Sequence, residues 1–113
     1  MHEGTVVREI MNIVSVAALQ NQISKVYEII LRVGPYSCIH EQQLNWYFGI
    51  LREGTCMEEA IIKVERDETL TGVNQMYLKT FKGAKRRFKE NQEKGIDMAY
   101  EEVYDNISKR DYN

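Results

Sequence analysis

The sequence predicts an α+β domain of two layers: a three-stranded sheet containing one β-hairpin, two helices packed on it, and an added C-terminal helix. Three observations lead there. Apolar residues first recur at helical spacing, then alternate with the two-residue period of strands, and finally return to helical spacing. The resulting order, α-β-α-β-β-α, suits a sheet covered on one face by helices. At 113 residues the chain supports one modest core, so residues 1–113 read as a single domain.

Val6, Val7, Ile10, Ile13, Val14, Ala17 and Ala18 share one face of a helix running from residue 3 to about residue 21. KVYEIILRV follows as a strand with Tyr27, Ile29, Leu31 and Val33 on one side, and Gly34 to Ser37, with the only proline, ends it. From His40 a second helix carries Leu44, Tyr47, Phe48 and Leu51 and stops near Gly54. EAIIKVERD alternates Ala60, Ile62 and Val64 against Ile61, Lys63 and Glu65, which is the pattern of a strand. VNQMYLKTF is also strand-like, and Gly72 would allow it to return as the second arm of a hairpin. Phe81, Ala84 and Phe88, then Ile96, Ala99, Tyr100, Val103, Tyr104 and Ile107, predict helix beyond it, with Gly95 as a point of division. The aromatic residues Trp46, Tyr47, Phe48, Tyr100 and Tyr104 are assigned to core packing.

Composition narrows the function. Hydrophobic residues make up 43% and charged residues 28%, a balance that fits a soluble globular chain. No apolar run approaches the roughly 20 residues of a membrane span. MHEGTVVREIM has no apolar stretch behind a basic region, so no signal peptide is read and a cytoplasmic location is expected. Cys38 and Cys56 are expected as free thiols, and since neither belongs to a CxxC pair no zinc site is expected. Lys79, Lys82, Lys85, Arg86, Arg87 and Lys89 form a basic run, but acids follow it, so a solvated helix face with ion pairs is favoured over nucleic-acid binding. With no nucleophile–base set, phosphate loop or paired carboxylates, the chain does not read as an enzyme.

What remains is the N-terminus. In Met1, His2 and Glu3 a free α-amine, backbone amides and an imidazole would form small fused chelate rings, a nitrogen-rich planar donor set suited to Ni(II) or Cu(II). The first N–H groups of a helix lack intrahelical partners, so metallating an amide there costs no helical hydrogen bond.

The MHE start, the VVREIM helix, and the positions Val33, Gly34, Ser37, Leu44, Trp46, Phe48, Gly54, Thr55 and Ala60 together resemble the HypA/HybF hydrogenase nickel-insertion family. The match runs from residue 1 to about residue 66, and GVNQMYLKTF is similar to the family's final strand. Residues 1–81 are thus read as the family-like core and 82–113 as a C-terminal helical extension. The resemblance implies a metallochaperone that captures Ni(II) at Met1, His2 and Glu3 for metalloenzyme maturation. It further implies a HypB-type GTPase and a nickel-iron hydrogenase large subunit as partners. Family members carry two CxxC pairs between their last two strands, whereas DETLT stands there in this chain, so the zinc module is missing. Two readings of His40 stay open: a fourth planar ligand beside the MHE chelate, or the solvent-exposed start of the second helix. A rival for the whole chain also stays open, a metal-independent protein-interaction or homo-oligomerising module built on the same fold.

Overall fold

The computed structural model describes residues 3–72, 75–87, 96–103 and 110–111, with residues 86–87 and the last two segments described as backbone. The elements are α1 (Glu3–Gln20), β1 (Ile23–Val33), α2 (Glu41–Leu51), β2 (Ile61–Arg66), β3 (Gln75–Arg87), β4 (Ile96–Val103) and β5 (Arg110–Asp111). The fold class is α+β as expected, with both helices packed on a mixed sheet whose strands run in the order β2-β1-β3-β4.

Each helix buries the stripe its sequence lays out. Val6, Val7, Ile10, Val14, Ala17 and Ala18 of α1 are buried, and Leu44 and Phe48 do the same for α2. They meet Val26, Ile29, Leu31 and Val33 of β1, Ile62 of β2, and Met76, Leu78 and Phe81 of β3 in one cluster. At about 1.5–3 kcal/mol for each fully buried large aliphatic or aromatic side chain, this cluster is the main favourable term of the fold.

Tyr27, expected inward, is 43% exposed. The pairing of β1 with β3 steps from Val26↔Gly83 to Glu28↔Lys82, so two residues of β1 are spent against one of β3 and Tyr27 is the extra one. This β-bulge and a further register shift between Ile23 and Lys25 reset the alternation, so that Ile23, Val26, Ile29, Leu31 and Val33 are all buried.

The expected hairpin between β2 and β3 does not form. β1 lies between them, parallel to β2 and antiparallel to β3. The connection after Arg66 crosses the C-terminal end of β1 and is stitched to it, Asp67 N donating to Val33 O at 2.7 Å and Gly34 N to Gln75 O at 3.2 Å. Asp67 Oδ1 accepts from both the amide and the hydroxyl of Thr69, and its Oδ2 accepts from Tyr77 Oη at 3.0 Å. Alternation along a strand reports which face is buried and not which neighbour supplies the ladder, so a short linker with a glycine imitates a hairpin.

The expected C-terminal helix is also corrected. Ile96–Val103 is strand β4, antiparallel to β3 from Thr80↔Val103 to Arg87↔Ile96, and Phe81 and Ala84 belong to β3 itself. Ile96, Met98 and Tyr100 alternate with Asp97, Ala99 and Glu101, a period-two pattern that coexists with the helical stripe. Phe88, Gly95, Tyr104 and Ile107 lie outside the described residues. β5 pairs with the start of β3.

From Lys79 to Arg87 the basic run lies on strand β3, with Lys89 outside the described residues, and the ion pairs of Lys79 and Lys82 are cross-strand. Lys82 Nζ sits 3.4 Å from Glu28 Oε1, Lys63 Nζ 3.1 Å from Glu28 Oε2, and Lys79 Nζ 4.0 Å from Glu65 Oε1. The face of the sheet away from the helices is thus a lattice of paired charges. The two adjacent lysines hold the Glu28 carboxyl below the usual carboxylate range, the hydrogen bond from Lys63 contributing most.

Candidate metal-binding site

Topology brings both helix N-termini to one end of the molecule. α1 turns into β1 through Asn21 and Gln22, the latter in the left-handed region at φ 59°. It therefore runs back along the sheet. α2 joins the parallel strands β1 and β2, so it must run the same way as α1. The side contacts agree: Tyr47 packs beside Gly4, while Leu51, one turn further on, lines a groove with Arg8, Met11, Asn12 and Ser15. Both N-termini consequently stand beyond the C-terminal ends of β1 and β2.

At that end the structure places Glu3, half-buried, as the first residue of α1. Met1 and His2 lie outside the described residues. His40 is exposed and occupies the N-cap of α2, where it makes no side-chain cap hydrogen bond. No cluster of three or more metal-ligating side chains is formed among the described residues. Tyr47, which packs beside Gly4, stands about 10 Å along α2 from His40.

The cysteines do not join this end together. Cys38 is exposed in the β1–α2 loop, but the carbonyl of Cys56 accepts from Val26 N at 2.8 Å, near the other end of β1. Seven residues of strand separate Val26 from Val33, about 23 Å. Cys38, His40 and Cys56 cannot share an ion, and burial pushes the Cys56 thiol up, which disfavours its thiolate.

Local hydrogen bonds fix the backbone around His40. Ser37 Oγ accepts from Ile39 N at 3.1 Å, and Ile39 is buried. On the far side of His40, Glu41 Oε2 accepts from Val64 N at 2.8 Å, and Asn45 both accepts from Ile62 N at 2.9 Å and donates to Ile62 O at 2.8 Å. A single asparagine thus pairs with the outer edge of β2 as another strand would. At the other end of α2, Arg52 stacks 5.8 Å over Phe48 and donates to Ala60 O, and Thr55 Oγ1 donates to Arg52 O at 2.6 Å.

One surface runs against the assignment of the aromatic residues to core packing. Trp46 is 60% and Ile50 58% exposed, which corrects the core assignment of Trp46. Beside them, Gly4, Thr5, Arg8, Tyr47, Ile50 and Leu51 line a groove of about 360 Å³. Phe48 is fully buried and Tyr47 half-buried, so the aromatic triplet divides by helix face. Trp46 lies a half-turn from the Leu44 and Phe48 face, a signal that the helical period of α2 already contained.

A family model described as hydrogenase/urease nickel incorporation, metallochaperone, HypA matches residues 1–76. The chain belongs to the HypA family. The hydrogenase maturation factor HypA of Actinobacillus succinogenes is 32% identical over 62 residues, covering 55% of each chain. That of Methanobrevibacter smithii is 34% identical over 65 residues, 58% of this chain and 52% of the relative. This HypA-family chain therefore spans about half the length of the curated relatives it matches. In solved structures the same fold occurs in the Ni metallochaperone HypA from Helicobacter pylori, with TM-score 0.52 and 24% identity over 59% of this chain and 58% of that one. Another solution structure of a HypA protein gives TM-score 0.50 and 16% identity over 99% of this chain and 97% of that one.

Most of the positions that carry the family likeness have a structural reason. A Cβ on Gly34 would collide with the Leu70 carbonyl, Gly54 has φ +78°, Thr55 closes the α2–β2 turn, and Leu44, Phe48 and Ala60 are buried. Trp46 is exposed and meets the ring of its neighbour Tyr47 edge-on, 5.0 Å between centroids.

Proposed function

We propose that this HypA-family protein is a nickel metallochaperone and not an enzyme. Ni(II) is its cargo, captured by the Met1 amine, the amides of the first residues, the His2 imidazole and the Glu3 carboxylate, with His40 as a further ligand. The observation that carries this reading is the start of α1 at Glu3. The Glu3 amide then belongs to the first turn, where N–H groups have no helical partner to lose. Deprotonated amides also offset the positive end of the helix dipole, which would otherwise repel a cation. A planar nitrogen set binds Cu(II) more tightly than Ni(II) by intrinsic preference, so availability in the cell selects nickel. No structural zinc is part of the proposal, because the two cysteines stand at opposite ends of β1.

Delivery completes the function: the proposed recipients are a HypB-type GTPase and a nickel-iron hydrogenase large subunit, met in the cytoplasm. Exposed Trp46 and Ile50, beside the helix end that leads into the chelate, support docking of a recipient there. Nickel titration of untagged protein, followed by calorimetry and visible absorption, tests the proposal against His2→Ala, His40→Ala and an N-terminally extended form. One stoichiometric site is expected, abolished by His2→Ala and by extension, and weakening as pH falls below about 7, where protons compete for amine and imidazole. If extension and His2→Ala both leave binding unchanged, the metal-independent interaction or oligomerisation module becomes the better reading.

A further inference from the structure

Arg66 is the last residue of β2, opposite Val33 of β1. Its guanidinium reaches over the end of the sheet to the loop between β1 and α2. There Nη1 donates to the carbonyls of Gly34 at 3.1 Å and Ser37 at 3.2 Å, and Nη2 donates to that of Ile39 at 3.5 Å. A single side chain gathers three carbonyls of one short loop, ending on the residue immediately before His40. The planar fork of arginine suits this task because its donors diverge from a rigid plane, whereas a lysine ammonium offers a point charge on a flexible stem.

The backbone of His40 is thereby held from both sides. Ile39 is tied by Arg66, by the Ser37 hydroxyl and by its own burial, and α2 is tied to β2 by Glu41 and Asn45. The imidazole itself is exposed and uncommitted to capping. We propose that Arg66 is a positioning residue for nickel capture: it fixes the loop so that His40 points its free imidazole toward the end of the molecule where α1 begins. This rests on His40 being a nickel ligand. Arg66 touches no metal, and it acts only by limiting where His40 can be.

A purely structural role for Arg66 would also destabilise the protein on mutation, so the test is a double-mutant cycle read by nickel and not by stability alone. Ni(II) affinity and the visible spectrum of the untagged full chain are measured for wild type, His40→Ala, Arg66→Met, Arg66→Lys and the His40→Ala/Arg66→Met double variant. Thermal melts accompany them, so that binding is compared where every variant is folded. Supporting residues of metal ligands typically contribute ten- to a hundredfold in affinity. For an indirect contact to an outer ligand we expect about tenfold weaker binding in Arg66→Met, with a spectrum shifted toward that of His40→Ala, and an intermediate loss in Arg66→Lys. In the His40→Ala background Arg66→Met should change neither affinity nor spectrum. The proposal is overturned if Arg66→Met lowers the melting temperature yet binds nickel as wild type does, or if its full effect persists without His40. Should Arg66→Met fail to fold, Arg66→Lys decides by the same criteria. Silence of His40→Ala with an intact His2-dependent site would remove His40 from the ligand set, and this positioning role with it, while leaving the N-terminal chelate standing.

Discussion

Replacing Asn45 with alanine tests whether α2 and the edge of β2 form one unit. The side chain donates to Ile62 O and accepts from Ile62 N, and it also donates to Glu41 O within the helix at 3.0 Å. Each net hydrogen bond is worth about 0.5–1.5 kcal/mol, so the two to Ile62 total about 1–3 kcal/mol. They are part-buried at a sheet edge where water can take over some of the pairing, which favours the lower half, about 1–2 kcal/mol. With a urea slope of about 1–2 kcal/mol/M for a domain of this size, the midpoint should fall by about 0.5–2 M. Urea unfolding by far-UV circular dichroism measures this. Asn45→Asp keeps the acceptor for Ile62 N but turns a carboxylate oxygen toward Ile62 O, so it should be no more stable than the alanine variant. A midpoint within about 0.2 M of wild type for Asn45→Ala would refute the idea that this contact fastens α2 to the sheet.

Acid should weaken the fold through two carboxylates. Glu28 is held low chiefly by the hydrogen bond from Lys63, and Asp67 by hydrogen bonds from Thr69, with Tyr77 and Arg32 assisting. Because the folded state lowers both, their stabilisation is present above the unfolded values, near 4.5 and 3.8, and is lost as pH falls below them. Melting temperature against pH should drop on that acid limb, and Glu28→Gln should flatten part of it; an unaltered limb would rule Glu28 out. Gly34→Ala places a methyl group against the Leu70 backbone and should cost about 1–3 kcal/mol by calorimetry, with an unchanged melting temperature as the contrary result. Ending the chain at residue 95 removes β4 and bares the edge of β3 from Thr80 to Arg87, so lower stability and self-association are expected by light scattering. A monomer of undiminished stability would show that β4 is dispensable.

Much of the architecture was legible because burial has a period. Val6 to Ala18, Leu44 with Phe48, and Ala60 with Ile62 carry their faces in the sequence, and each is buried as the spacing predicts. Pairing partners have no such period. The insertion of β1 between β2 and β3 depends on Asp67 N finding Val33 O, a contact between distant residues that no local pattern encodes. The Tyr27 bulge escaped for a related reason, since one extra residue reverses the phase of a strand without altering its composition. At the C-terminus, apolar residues such as Ile96 and Tyr100 satisfy a three-to-four spacing and a two-residue spacing at once. The available edge of β3 then decides in favour of strand, a tertiary effect that overrides local preference.

The candidate site shows a different division. Family likeness is concentrated in residues that shape the frame: Gly34 allows the connection to pass, Gly54 and Thr55 turn the chain out of α2, and Leu44 and Phe48 seat that helix on the sheet. These residues chelate nothing, yet together they fix the direction of α2 against α1 and bring the two helix starts to one end. Ligation itself needs few side chains, and in this chain the proposed chelate draws mainly on backbone nitrogen and the terminal amine, which carry no sequence signature beyond the placement of His2 and Glu3. The fold sets the start of α1 and the N-cap of α2 at one end of the molecule even though only a short loop, crossing the end of β1, joins β2 to β3. The nickel capture proposed above therefore does not call on a cysteine-bearing module. Its proposed donors rest on the α1–β1–α2 frame, which packs as one cluster with β2 and β3, while Cys38 and Cys56 stand at opposite ends of β1.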